Sequence, residues 1–215
     1  MKTIKTIFIP AKFRAEVNKA KILRLSKSLP ENLAIAYSIQ FQDIANEIKS
    51  LFTRQGKAIT AFMQVLGCSK PKFPKETKAV LLISTGKFHA ISLAYESKLP
   101  IYILDRNKLE KITEKDLEII KTKQKAAYMR FLNANEVGIL ASTKPGQQRL
   151  KKALELRSKL ANSKKSYVFL SNAINIGEFE NFPNIDTWVN TACPRLDMDN
   201  PDSSSAIINI DKLKE

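Results

Sequence analysis

A chain of 215 residues that is 44% hydrophobic can bury one sizeable core or two modest ones, which excludes an intrinsically disordered protein. Its formal charge of +15, from 36 Lys+Arg against 21 Asp+Glu, suits an anionic partner or cofactor. No stretch approaches the roughly 18 uninterrupted apolar residues of a membrane span, and lysines run through residues 1–20 in place of a signal peptide's apolar core, so a cytoplasmic protein without a membrane partner is expected.

In chain order, the first predicted strand is Thr6 to Ile9, inside a basic segment. That segment carries Lys2, Lys5, Lys12, Arg14, Lys19, Lys21, Arg24 and Lys27 against Glu16 alone. Only Phe8 and Phe13 stand among these bases, too few for a stacking platform, so nucleic acid is not expected as the primary partner. A strand follows at Leu33 to Tyr37. Next comes a helix over residues 41–55 that places Phe41, Ile44, Ala45, Ile48 and Phe52 on one face, then a strand at Ala58 to Phe62.

Val65-Leu-Gly-Cys68 follows that strand, and the strand Val80 to Ile83 runs into Ser84-Thr-Gly-Lys-Phe-His89. This second stretch is not a phosphate-binding Walker loop, which needs Gly where Leu81 stands and Ser or Thr where Phe88 stands. His89 is the only histidine, so a histidine-rich zinc site is excluded; a helix cap or a catalytic group are both open to it. A strand at Ile101 to Leu104 ends on Asp105, and a long Lys- and Glu-rich helix is predicted from about Thr113 to Asn133.

The pattern then repeats. The strand Val137 to Ala141 leads into Ser142-Thr-Lys-Pro-Gly-Gln147 and a helix over 148–161 with Leu150, Ala153, Leu154, Leu160 and Ala161 at helical spacing. Strands at Tyr167 to Leu170, Thr187 to Asn190 and Ala206 to Ile210 complete the chain, with Cys193 just after the second of them. Ile35-Ala-Tyr-Ser38 and Ile139-Leu-Ala-Ser142 occupy matching places in the two halves. Strands apolar on both faces and joined by helices imply parallel sheets covered on both sides. The expected class is α/β, with two similar small domains, 1–110 and 135–215, joined by a helix over 111–134.

In such sheets ligands bind beyond the carboxyl ends of the strands. Ser142 to Gln147 is read as the capped N-terminus of a helix, where Lys144, exposed amides and a backbone made accessible by Gly146 would hold a carboxylate or phosphate. A capped helix with a tight turn explains the same residues without a ligand. Two cysteines far apart in an intracellular chain are more consistent with burial, catalysis or metal binding than with a disulfide. Spacing alone does not choose among these, because the chain has no C-x-x-C pair.

Asn190-Thr-Ala-Cys-Pro-Arg195, Ser142-Thr-Lys-Pro-Gly-Gln147, Val65-Leu-Gly-Cys68, Ile39-Gln-Phe41 and Gly86-Lys-Phe-His89 followed by Pro100-Ile-Tyr-Ile-Leu-Asp105 together resemble the diphthamide synthase family. These are the 2-(3-amino-3-carboxypropyl)histidine synthases, here of the archaeal type. The motifs stand in family order from about Thr6 to Asp199 and match the family's second and third domains.

The resemblance implies three similar α/β domains, each giving one cysteine to a 4Fe-4S cluster whose open iron binds S-adenosylmethionine. Reductive cleavage of that co-substrate yields an aminocarboxypropyl radical that attacks a histidine of translation elongation factor two. Carried over by motif, Cys68 and Cys193 are metal ligands, and Gln40, Gly86, His89, Ser142, Lys144, Gly146, Gln147 and Arg195 are cofactor-binding positions. The family's Gly-Asp-Gly-Arg-Phe-His pattern stands here as Ser84-Thr-Gly-Lys-Phe-His89, without the acidic residue and with lysine for arginine.

The family's first domain has no counterpart in this sequence, and Met1 favours a naturally short chain. One reading is therefore a split synthase whose third cysteine comes from a partner chain, in a dimer of such assemblies. The alternative is a non-catalytic relative that binds the elongation factor, the synthase or RNA and keeps its cysteines for packing.

Overall fold

The computed structural model describes residues 7, 9, 11–14, 16–66, 69–197 and 206–213. The chain divides into two compact units, Met1–Leu117 and Glu118–Glu215. Both are α/β, with mostly parallel sheets flanked by helices, as the strand pattern predicts.

Unit 1 runs α1 (Lys19–Ser26), β1 (Asn32–Tyr37), α2 (Gln42–Arg54), β2 (Ala58–Gln64), β3 (Ala79–Ile83), α3 (Phe88–Ser97), β4 (Ile101–Asp105) and β5 (Lys108–Lys111), and ends within α4 (Glu114–Asn133). Its five strands are ordered β2-β1-β3-β4-β5. All neighbours are parallel except β4 and β5.

The central strands β1 and β3 are apolar in succession because both sheet faces are covered. Leu33, Ile35, Leu81 and Ile83 pack with Phe41, Ile48 and Phe52 of the α2 segment. Ala34, Ala36, Val80 and Leu82 pack with Ala90, Leu93 and Ala94 of α3. Each fully buried Leu, Ile or Phe stabilises the unit by about 1.5–3 kcal/mol before the entropy of ordering is subtracted.

Two elements of this unit are not visible in the hydrophobic pattern. Helix α1, capped by Asn18 whose side chain accepts from Lys21 N, buries only Ile22 and Ser26, too few positions to set a period. Strand β5 reads Lys-Leu-Glu-Lys and lies at the sheet edge, where charged residues discourage further pairing. Of the strand predicted at Thr6 to Ile9, Thr6 and Phe8 lie outside the described residues; Ile7 and Ile9 are 85% and 86% exposed and belong to no strand.

Unit 2 holds the rest of α4, then β6 (Glu136–Ser142), α5 (Leu150–Leu160), β7 (Lys165–Ser171), β8 (Thr187–Asn190) and β9 (Ile207–Asn209). Its order is β7-β6-β8-β9, parallel throughout, repeating the β2-β1-β3-β4 order of unit 1. Ala127 and Phe131 of α4 and Ala153 and Leu160 of α5 cover Val137, Ile139, Ala141, Val189 and Ile208 on one face. On the other face Leu140, Trp188 and Ile207 pack with Phe179, from a short 3-10 helix at Ile176–Asn181.

Helix α5 differs from its prediction in which residues it buries. Leu150 and Leu154 are 40% and 46% exposed, whereas Ala153 is fully buried. Where a helix sits close on a sheet, the small side chain takes the contact line and larger ones flank it.

Candidate functional site

In each unit the strand order places a topological switch point beside the first strand, between the loops that leave its carboxyl end and those of its neighbours. In unit 2 these are the loops after β6, β7 and β8. A cavity of about 220 Å³ lies among them, lined by Ser142, Lys144, Gln147, Asn172, Ile174, Ala192, Cys193, Arg195 and Leu196.

The loop after β6 is a turn and not the helix N-terminus expected from sequence. Gln147 N donates to Lys144 O at 3.0 Å and Gly146 has φ +78°. With Pro145 at the second position and a left-handed glycine at the third, Lys144 to Gln147 is a type II turn. Helix α5 begins only at Leu150, after an Arg149 that makes no capping side-chain bond. Ser142 is the last residue of β6, and its Oγ accepts from Lys144 N at 3.1 Å, so it shapes the turn and does not cap the helix. Nothing lies within 4 Å of a Cβ built at Gly146, so this glycine is required by its φ and not by a close backbone approach.

The loop after β8 carries Cys193 and passes into a short 3-10 helix at Pro194–Asp197. Asn190 is completely buried at the end of β8. Its Oδ1 accepts from Ala192 N at 2.8 Å, and its Nδ2 donates to Cys193 O at 2.7 Å. Thr191 Oγ1 donates to Leu140 O at 2.7 Å, which fastens the same turn to β6.

Cys193 is a free, partly exposed thiol on the cavity lining, which also includes the cations Lys144 and Arg195. A soft sulfur at an accessible rim suits one ligand of an iron-sulfur cluster. Among the described residues no group of three or more His, Cys, Asp or Glu could hold a metal ion. The other expected ligand, Cys68, lies outside the described residues.

The remaining expected site residues belong to unit 1. Gln40 is in a short 3-10 helix, Ile39–Phe41, directly after β1, and its carbonyl accepts from Phe13 N at 2.8 Å. Ser38 Oγ donates to Ser84 Oγ at 3.2 Å, joining the ends of β1 and β3. Gly86 has φ +73° with open space around it, and His89 is partly exposed in the first turn of α3 and engaged in an interaction of its own. Lys87 pairs with Glu110 of β5 and, at 3.5 Å, with Asp116 of α4. The hydrogen bond to Glu110, followed by the charges of Asp116 and Glu110, raises the Lys87 pKa and keeps it a cation.

Of the expected positions, Ser142, Lys144, Gln147, Cys193 and Arg195 therefore share one cavity, while Gly146 shapes a turn beside it. Gln40, Gly86 and His89 lie in unit 1. Sequence reasoning passed over Asn172 and Ile174, although their place just after β7 puts them at the same carboxyl edge. It also left Asn190 without a role, although an asparagine shortly before a turn is a signal for backbone bonding.

Comparison with known proteins agrees with these motifs. The family model described as "Putative diphthamide synthesis protein" matches residues 1–205. The chain is 30% identical over 188 residues to 2-(3-amino-3-carboxypropyl)histidine synthase subunit 1 of Mus musculus, covering 82% of this chain and 42% of that protein. It is 25% identical over 208 residues to the 2-(3-amino-3-carboxypropyl)histidine synthase of Pyrococcus horikoshii, covering 91% of this chain and 60% of that one. The chain thus spans about half the length of these relatives. The fold matches the crystal structure of Dph2 from Pyrococcus horikoshii with a 4Fe-4S cluster at a TM-score of 0.76 and 21% identity, over 92% of this chain and 61% of that one. The chain belongs to the diphthamide synthesis protein family.

Proposed function

We propose that the chain is the two-domain part of a 2-(3-amino-3-carboxypropyl)histidine synthase, acting on a histidine of translation elongation factor two in the first step of diphthamide formation. The observation that carries this function is the cavity at the carboxyl edge of unit 2, which gathers Cys193, Lys144, Arg195, Gln147 and Ser142. The names of the curated relatives support it, and so does the cluster in the Pyrococcus structure.

Cys68 and Cys193 are the proposed thiolate ligands of a 4Fe-4S cluster. The third thiolate is proposed to come from a domain on a partner chain, in keeping with a relative named as a subunit. When bound, the cluster would supply an open iron to seat S-adenosylmethionine and the electron that cleaves its sulfonium bond.

This chain's own residues would bind and orient the co-substrate. Lys144, on a turn fixed by Ser142 and Gly146, sets a cation toward the cavity that suits the methionine carboxylate. Gln147 and Asn172 offer amide donors and acceptors to the amino-acid end or the ribose, and Arg195 adds a second cation two residues beyond the thiol. Ile174, Ala192 and Leu196 give the lining an apolar side that limits water. In unit 1, Gln40, Gly86 and His89 are the proposed counterpart positions. The basic exterior is suited to docking an elongation factor.

The test is anaerobic reconstitution with iron and sulfide, alone and beside a candidate chain carrying the third cysteine. Brown absorbance that is lost in Cys193→Ala is the expected result. A chain that takes up no cluster even beside such a partner is a non-catalytic relative.

A further inference from the structure

Asn190 is a polar side chain at a strand position where the fold itself accepts an apolar one. Ile35 of β1 pairs with Leu81 of β3, and Ile139 of β6 pairs with Val189 of β8. Those two isoleucines hold matching places in the repeat. One residue further on stand Leu82 in unit 1 and Asn190 in unit 2, both with 0% exposure. Leucine satisfies the sheet at this place, so the sheet does not require an amide.

What distinguishes unit 2 is the turn that follows. Three residues after Leu82 stands Thr85; three residues after Asn190 stands Cys193. The carboxamide accepts from Ala192 N and donates to Cys193 O, which also accepts from Leu196 N at 3.0 Å. A donor and an acceptor at this spacing are needed together. Aspartate would oppose an oxygen to the Cys193 carbonyl, leucine would leave the Ala192 amide without this partner, and glutamine is longer by a methylene. Burying a carboxamide is favourable only when both of its ends are bonded, as they are here.

We propose that Asn190 is a positioning residue for Cys193: it locks the Thr191–Cys193 turn so that the thiol is held on the cavity lining. This deepens, and rests on, the reading of Cys193 as a cluster ligand. The residue acts through the backbone of the turn and touches no ligand itself.

The test follows iodoacetamide alkylation of the full-length, cluster-free chain, resolved at the Cys193 peptide by mass spectrometry. Asn190→Ala removes both clamping bonds and is expected to raise the Cys193 rate at least about tenfold. Asn190→Leu, which keeps the size at a place where Leu82 is fully buried in unit 1 and also removes both bonds, is expected to show the same rise and serves where the alanine variant does not fold. Ala153→Gly, which weakens the core on the opposite face of the same sheet, is the control; its rate should equal the unmodified chain's although it unfolds at a lower temperature. An unchanged rate in a folded Asn190 variant, or an equal rise in Ala153→Gly, overturns the proposal. Cluster uptake by the unmodified chain beside its partner is measured separately, so failure of the ligand reading is distinguished from failure of the clamp.

Discussion

The indole of Trp188 occupies the space in which a side chain at residue 138 would stand. A Cβ built on Gly138 falls 2.4 Å from Trp188 Cε3, and the two residues are partners across the β6–β8 ladder. The ring also stacks on Phe179 at 4.1 Å between centroids and meets Phe169 edge-on at 4.8 Å. A mid-strand glycine, ordinarily unfavourable, is what lets this aromatic group close one face of unit 2.

Gly138→Ala should therefore destabilise unit 2 by about 1–3 kcal/mol, the usual cost of overfilling a packed core. Trp188 is the only tryptophan, so its fluorescence during denaturant unfolding reads this unit directly. Trp188→Phe should recover part of the loss in the double variant, followed by circular dichroism because that variant lacks the indole, since two residues in contact do not add independently.

Stability should fall in acid through two carboxylates. The hydroxyl and then the amide of Thr113, with a further contribution from Lys87, hold Asp116 below the usual carboxylate range. The amides of Glu136 and Asn135 do the same for Asp186. A depressed acid contributes fully above its unfolded pKa of about 3.9, and the contribution is lost as pH falls through the lower folded value. Denaturant unfolding followed downward from about pH 5 should show this loss, and the Asp116→Asn, Asp186→Asn double variant should have a flatter profile.

On the proposed function, Lys144→Ala should weaken S-adenosylmethionine binding by the reconstituted complex about tenfold, the worth of one charge-assisted hydrogen bond, while leaving the brown absorbance intact. Isothermal titration beside the absorption spectrum checks both parts. Equal loss of cluster and binding would instead assign Lys144 to holding the turn.

Gly146→Ala forces an alanine to φ +78° where space is otherwise open, so its cost is conformational, about 1 kcal/mol or more. Thermal unfolding should record that cost. The binding constant should also weaken, because the type II turn that presents Lys144 and Gln147 is the part under strain.

The strands were legible because burial on both faces leaves no choice but successive apolar residues, as in Ala79–Ile83, where every position is buried. Strand β5 was hidden because an edge strand needs no such run. The α5 N-terminus was misplaced for a different reason: Ser142 has the composition of a helix cap, but Pro145 and Gly146 commit the chain to a turn first, and the Ser142 hydroxyl bonds within it. Motif order was enough to reach the family, since each motif is local in sequence.

By itself the sequence determined the α/β class, the repeat of two similar halves and the kinds of side chain available for chemistry, because apolar periodicity and short motifs are written in neighbouring residues. Only the tertiary structure decided that Ser142, Lys144, Gln147, Asn172, Cys193 and Arg195 surround one cavity. That gathering depends on the strand order β7-β6-β8-β9, which sets the carboxyl ends of β6, β7 and β8 side by side. The partners of Asn190 were likewise decided in three dimensions, since a hydrogen bond is specified by where a donor and an acceptor meet.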